Sequence, residues 1–207
     1  MESRSDRSDL LRRLADSIMH GKPDAQEIAR LCLDRGAGVD EVLTKGVIEG
    51  WLEFAAWYDR EPEAALKGWM ESYNATNRVL RLLESVIPPP ENPPFSVAVA
   101  TVRGEGHVLM RDVLSILLKS KGVRVYSSRK GVVPEDLQEP ISDPSLKWLV
   151  VSCVEGDLND QVSGLIRWAK GMRSDLRVVA GGPQADKVGA DIAVNGPLEL
   201  IKVLGLQ

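Results

Sequence analysis

Histidine is scarce in this chain. Among 207 residues it stands only at His20 and His107, so chemistry that needs an imidazole has two candidates. His107 closes the stretch Gly104-Glu105-Gly106-His107, which directly follows the apolar run FSVAVAT-VR. Side chains repeat every two residues in extended chain, so Glu105 and His107 point to the same side if this stretch is unwound; in a helix they point apart. A carboxylate beside an imidazole fixes the ring tautomer and raises its basicity as a metal ligand. Metal ligation is therefore the chemistry this spacing suits. Two plainer readings stand beside it: a structural or merely solvated histidine, and a Gly-rich turn holding phosphate at a helix N-terminus. Phosphate is the weaker of these, because GEGHVLM matches neither a Walker loop nor GxGxxG and Glu105 would repel an anion.

Other small residues fall at comparable places. Ser152 stands next to last in the run KWLVVSC, and Gly181-Gly182 end LRVVAGG. Taken singly these are a turn hydroxyl and two turn glycines. Together, three strand ends with small residues beside one crevice suggest room for a buried organic group. Cys32 and Cys153, the only cysteines, lie in apolar patterns and read as small core residues, too far apart for a zinc motif.

The elements that must position these residues come in two kinds. Five of the seven residues from Pro88 to Pro94 are proline, which can neither continue a helix nor enter a sheet. This linker (88–94) separates residues 1–87, a helical bundle domain, from residues 95–207, a sheet domain. In the first region apolar residues recur at helical spacing: Leu10, Leu11, Leu14 and Ile18; Ile28, Leu31 and Cys32; Val39, Val42, Leu43, Val47, Trp51 and Phe54; and a fourth stripe from Leu66 through Met70, Tyr73, Val79, Leu80 and Leu83 to Val86. Breaks at GKPD and RGAG place Asp24 and Asp40 near helix starts. A four- or five-helix bundle is expected.

In the second region FSVAVAT, VRVYS, KWLVVSC, LRVVAG and DIAV are short and rich in β-branched residues, with helix-length segments such as Leu109 to Lys121 and Asn159 to Arg173 between them. Strands alternating with helices imply βαβ units. The expected fold class is α/β: a helical bundle followed by a flavodoxin-like, doubly wound, parallel five-stranded sheet. In such sheets ligands bind beyond the carboxyl ends of the strands, where strand order reverses.

Composition narrows the function classes. With 43% hydrophobic and 27% charged residues and a net charge of -4, the chain is ordinary globular protein without the basic excess of a nucleic-acid binder. No apolar run approaches bilayer length, so no membrane partner is expected. The first residues, MESRSDRSDLLRRL, alternate charges without an apolar signal-peptide core, and a cytoplasmic location is expected.

These motifs resemble the corrinoid proteins of methyltransferase systems, which share their fold with the cobalamin module of methionine synthase. That family has a helical cap, a linker, and a flavodoxin-like domain carrying Asp-x-His-x-x-Gly, Ser-x-Leu and Gly-Gly. Here Glu105 to Met110 stands at the first motif, Ser152-Cys153-Val154 at the second and Gly181-Gly182 at the third. GVVPEDL and GADIAVNGPLELIKVL resemble the segment after strand two and the last strand and helix. The resemblance implies that His107 ligates the cobalt of a cobalamin whose own base has swung away, and that Glu105 tunes it. It also implies that Ser152, Gly181 and Gly182 line the channel for the nucleotide tail, that Met110 lies near that tail, and that Gly106 and Val154 belong to the same cofactor-binding set. The chain departs from the pattern in several places. Glu105 adds a methylene to the family's Asp, Met110 replaces its Gly, and Val154 replaces its Leu. Val108, Arg111 and Asp112 replace polar residues after the His. The cap's aromatic stretch stands altered as FAAWYDREPEAALKGWM, with Trp57 and Trp69 as candidate covers for a flat ring or, more simply, core.

The function implied is that of a carrier, not an enzyme in itself: a methyl group rides on cobalt between partner TIM-barrel methyltransferases. Two alternatives remain open. One is a sensor of cobalamin or of another tetrapyrrole such as haem, acting on a regulatory protein; the other is a degenerate member that binds no cofactor. An unwound loop around His107 favours corrin binding, whereas a helix starting at Glu105 favours the degenerate case. The oligomeric state is open, a homodimer included.

Overall fold

A computed structural model describes residues 2–128 and 130–206, with side chains from residue 6 onward. The chain divides into two compact units, Met1–Pro88 and Pro89–Gln207.

The first unit is helical. Helix α1 (Glu2–Met19) packs on α2 (Ala25–Asp34), on a continuous helical stretch from Val39 to Arg60, and on α5 (Pro62–Val86). The middle stretch comprises α3 (Val39–Val42), a π-helical segment (Leu43–Ile48) and α4 (Glu49–Arg60). The described residues thus form four helical rods. The buried face of the π segment carries Leu43, Gly46 and Val47. Gly46 and Gly50 let this face close on α1, where a Cβ at Gly46 would meet Leu14 at 2.4 Å.

The helix starts expected at the two aspartates differ in detail. Asp24 immediately precedes α2, yet its carboxylate accepts the Ser17 hydroxyl (3.0 Å) instead of capping the helix. Asp40 lies in the first turn of α3. The fourth apolar stripe divides: Val79, Leu80 and Leu83 are buried, but Leu66, Met70 and Val86 are exposed. Trp69 is likewise 40% exposed and stacks on Tyr73 at 5.3 Å, so it is not a core residue.

The second unit carries five parallel strands: β1 (Ser96–Ala100), β2 (Arg124–Ser127), β3 (Leu146–Ser152), β4 (Arg177–Gly181) and β5 (Ile192–Val194). Their order is β2-β1-β3-β4-β5, with every pairing parallel. Helices α6 (Leu109–Ser120), α7 (Gln138–Ser142) and α8 (Asn159–Met172) intervene, and α9 (Pro197–Val203) follows β5. All five positions of β1 are buried, as a strand covered on both faces requires. On one side Ala98, Ala100, Leu149, Val151, Val178 and Ala180 form a core with Val162, Leu165, Ile166 and Ala169 of α8. The order reverses between β1 and β3, so the crevice beyond their carboxyl ends is where this topology puts a ligand. The fold class expected from the sequence is observed.

Among the described residues, no helix is long and apolar enough to cross a membrane.

Candidate functional site

The loop leaving β1 stays unwound until α6 begins at Leu109. Val102 forms a parallel bridge with Val132, and the Glu105 N–H returns to the Val102 carbonyl at 3.2 Å. This tight turn needs a left-handed residue, which Gly104 supplies at φ +99°. The turn lifts Glu105 and His107 to the same side. His107 Nδ1 lies 2.9 Å from Glu105 Oε1, which also accepts the His107 backbone N–H at 2.8 Å.

Glu105 is nearly inaccessible and its other oxygen is also engaged. Oε2 accepts the backbone N–H groups of Val154 (3.1 Å) and Glu155 (3.2 Å), both just past the end of β3. Burial by itself would raise the Glu105 carboxyl, but the bonds from His107 and from the β3 loop hold it below the usual carboxylate range. It is therefore a fixed anion at neutral pH. Its side chain is 1% exposed, whereas that of His107 is 60% exposed. Every bond that the ring makes to a described residue goes through Nδ1, which leaves Nε2 without a bond to a described residue. One carboxylate thus bonds both the imidazole and the β3 loop.

Glu155 was not singled out by the sequence reasoning. Its Oε1 lies 3.5 Å from the same Nδ1 and accepts the Gly106 N–H at 3.4 Å. Among the described residues, Glu105, His107 and Glu155 are the group of potential metal ligands whose atoms lie within 4.8 Å of one another. The available signal was an acidic residue three places beyond a strand end at the topological switch point.

The remaining candidates fall as follows. Val154 joins the cluster through its backbone. Ser152, half-buried, ends β3 and faces Gly181 in register. Gly182 has φ +113°, and a Cβ there would stand 2.4 Å from the Cys153 carbonyl oxygen. That close approach lets the loops after β3 and β4 zip together, with Cys153 N–H on Gly181 O (2.8 Å) and Gln184 N–H on Cys153 O (3.2 Å). Met110 is half-buried in the first turn of α6, without a bond to the cluster. Its neighbour Arg111 is only 1% exposed, and its guanidinium donates to Thr101 Oγ1 (3.2 Å) and Asp112 Oδ1.

Two groups stand apart. Burial, aided by the charge of Glu105, pushes the Cys153 thiol up to about 12; burial and Glu41 push Cys32 to about 11. Neither is a thiolate nucleophile. His20 belongs to the helical unit, 3.5 Å from Asp16.

An imidazole held by a buried carboxylate through one nitrogen and open at the other is the donor arrangement that suits an exposed axial metal ligand. No protein-family model matches the chain. Curated relatives do. Dimethylamine corrinoid protein 3 of Methanosarcina acetivorans is 25% identical over 204 residues, covering 93% of each chain. Dimethylamine corrinoid protein 1 of Methanosarcina mazei is 24% identical, covering 94% of each. Among solved structures, the monomethylamine corrinoid protein of Methanosarcina barkeri superposes with a TM-score of 0.73 at 18% identity, covering 95% of this chain and 97% of that one. The motifs and the whole-length comparisons agree: this chain is similar, over more than nine tenths of its length, to the corrinoid proteins of methyltransferase systems, and it has their fold.

Proposed function

We propose that the chain is a corrinoid-binding methyl carrier, holding a cobalt corrinoid on His107 and presenting it in turn to methyl-donating and methyl-accepting methyltransferases of the TIM-barrel type in the cytoplasm. The carrier reading is supported by the likeness to dimethylamine corrinoid proteins, and the ligand role by one observation, the 2.9 Å contact of His107 Nδ1 with buried Glu105. When bound, a corrin cobalt supplies the methyl-accepting and methyl-releasing chemistry. The chain's residues ligate and orient. Glu105 holds a proton on Nδ1, so the Nε2 lone pair is left as the donor. Gly106, Met110, Ser152, Val154, Gly181 and Gly182 border the space for the nucleotide tail. No residue of this cluster acts as acid, base or nucleophile toward a substrate, so the protein is a carrier for separate enzymes.

The test is a visible and EPR titration of the full chain with hydroxocobalamin, beside His107→Ala. A stoichiometric complex is expected whose Co(II) signal is split by a single nitrogen. Labelling the protein with 15N-histidine should turn the three-line pattern into two lines, and His107→Ala should remove it. Binding with an unchanged spectrum in His107→Ala would refute the ligand assignment. No binding at all would sink the carrier reading, and a haem titration would then test another tetrapyrrole.

A further inference from the structure

Glu155 places a second carboxylate beside the imidazole, in addition to the one the motif resemblance calls for. We infer that Glu155 is a positioning residue which, with Glu105, holds His107 in the tautomer with N–H at Nδ1 and a free lone pair at Nε2. What Nε2 then binds rests on the proposed function; the tautomer itself does not.

The two glutamates form a reciprocal cross-link between the β1 and β3 loops. The Glu105 carboxylate accepts the Glu155 backbone N–H at 3.2 Å, and the Glu155 carboxylate accepts the Gly106 N–H at 3.4 Å. Each glutamate thus fixes the other's loop. Nδ1 faces Oε1 of both, at 2.9 Å for Glu105 and 3.5 Å for Glu155. A ring nitrogen has one hydrogen to give, and the nearer Glu105 takes it. Glu155 acts by its negative charge at the same edge, which favours a proton on Nδ1 over one on Nε2.

A cation held among these three residues fits less well. Both Glu105 oxygens already accept two bonds each, three of the four from backbone N–H groups, and an ion would have to displace them. A proton shared with Nδ1 satisfies the same oxygens without loss. The Glu155 side chain is 37% exposed, so its charge is partly screened and its effect is modest beside that of Glu105.

The test uses the full chain, with Glu155→Gln and Glu155→Ala beside the wild type. Gln keeps an oxygen for the Gly106 N–H but removes the charge; Ala removes both. With only two histidines, 15N–1H correlation of the imidazole rings in the cofactor-free protein resolves the His107 tautomer directly, His107→Ala giving the assignment. The wild type should hold mostly the Nδ1–H form. Glu155→Gln should move the tautomer ratio toward Nε2–H by up to about 5-fold, the upper end for a part-exposed charge at this distance. An unchanged ratio in Glu155→Gln overturns the inference whether or not cobalamin binds. If the ratio shifts and the hydroxocobalamin complex of Glu155→Gln also loses part of its nitrogen-split Co(II) signal, both the inference and the cobalt reading gain support. A shifted ratio in a protein that binds no cobalamin upholds Glu155 and refutes the cobalt reading alone.

Discussion

Glu105 accepts the backbone N–H of Val154 at 3.1 Å, so a side chain from the β1 loop ties down the end of β3 across the strand-order reversal. The same carboxylate bonds His107, which makes the orientation of the imidazole depend on the junction between two strands.

Removal of that carboxylate should therefore cost stability as well as function. Glu105→Ala leaves the part-buried N–H groups of Val154 and Glu155 without their partner, at a cost of about 2 kcal/mol. Glu105→Asp, one methylene shorter, should reach His107 or the β3 loop but not both, at about 1 kcal/mol. Urea unfolding monitored through tryptophan fluorescence would check both values, and equal stability of wild type and Glu105→Ala would contradict the described bonding.

Met110 occupies the position where the resembling family carries Gly. On the proposed function, Met110→Gly should tighten hydroxocobalamin binding by opening room for the tail, even though Gly costs a helix interior about 1 kcal/mol and somewhat less in this first turn. Isothermal titration of the two proteins decides this. Weaker or equal affinity would mean that the Met side chain does not crowd the tail.

Gly182→Ala meets two obstacles at once. Its φ of +113° is poor for an L side chain, and the new Cβ would press on the Cys153 carbonyl at 2.4 Å, backbone that has little freedom to retreat. A loss of roughly 2–3 kcal/mol is expected, with weakened cobalamin binding. Gly189→Ala, also at positive φ but with open space around it, is the control for conformation alone.

Acid should act through Asp143, at the opposite end of the sheet. Hydrogen bonds from the Tyr126 hydroxyl (2.7 Å) and from the Ser145 side chain (2.7 Å) and backbone (2.8 Å) hold its carboxyl at about 2, against an ordinary 3.8. A depressed native value means that this group's contribution is fully present above the ordinary carboxylate range and is lost as pH falls towards 2. Asp143→Asn should accordingly be less stable than wild type at pH 7, and the gap should narrow between about pH 4 and pH 2. Denaturant unfolding at pH 7, 4 and 2 would measure it; a gap independent of pH would assign the effect to packing.

The fold was legible wherever one physical signal dominated. β-branched runs such as KWLVVSC and FSVAVAT mark strands because a parallel strand buried on both faces must be apolar along its length. The start of α6 at Leu109 follows from the glycines, which keep the preceding loop out of a helix. The stripe from Leu66 to Val86 was only half informative, since apolar spacing states which side chains share a face and not whether anything covers it.

The site divides in the same way. Local sequence determined that Glu105 and His107 share a side, because both lie in one unwound tetrapeptide whose geometry the intervening and preceding glycines set. Only the tertiary structure decided what surrounds them. Glu155 is 48 positions from His107 in sequence and reaches the imidazole solely because β3 pairs with β1 and releases its loop at the same end of the sheet. The burial of Arg111 beneath Thr101 and the close seat of Gly182 on Cys153 have the same origin. Neighbours along a chain are fixed by covalent geometry, whereas neighbours across a sheet depend on strand order and register, which no short motif encodes.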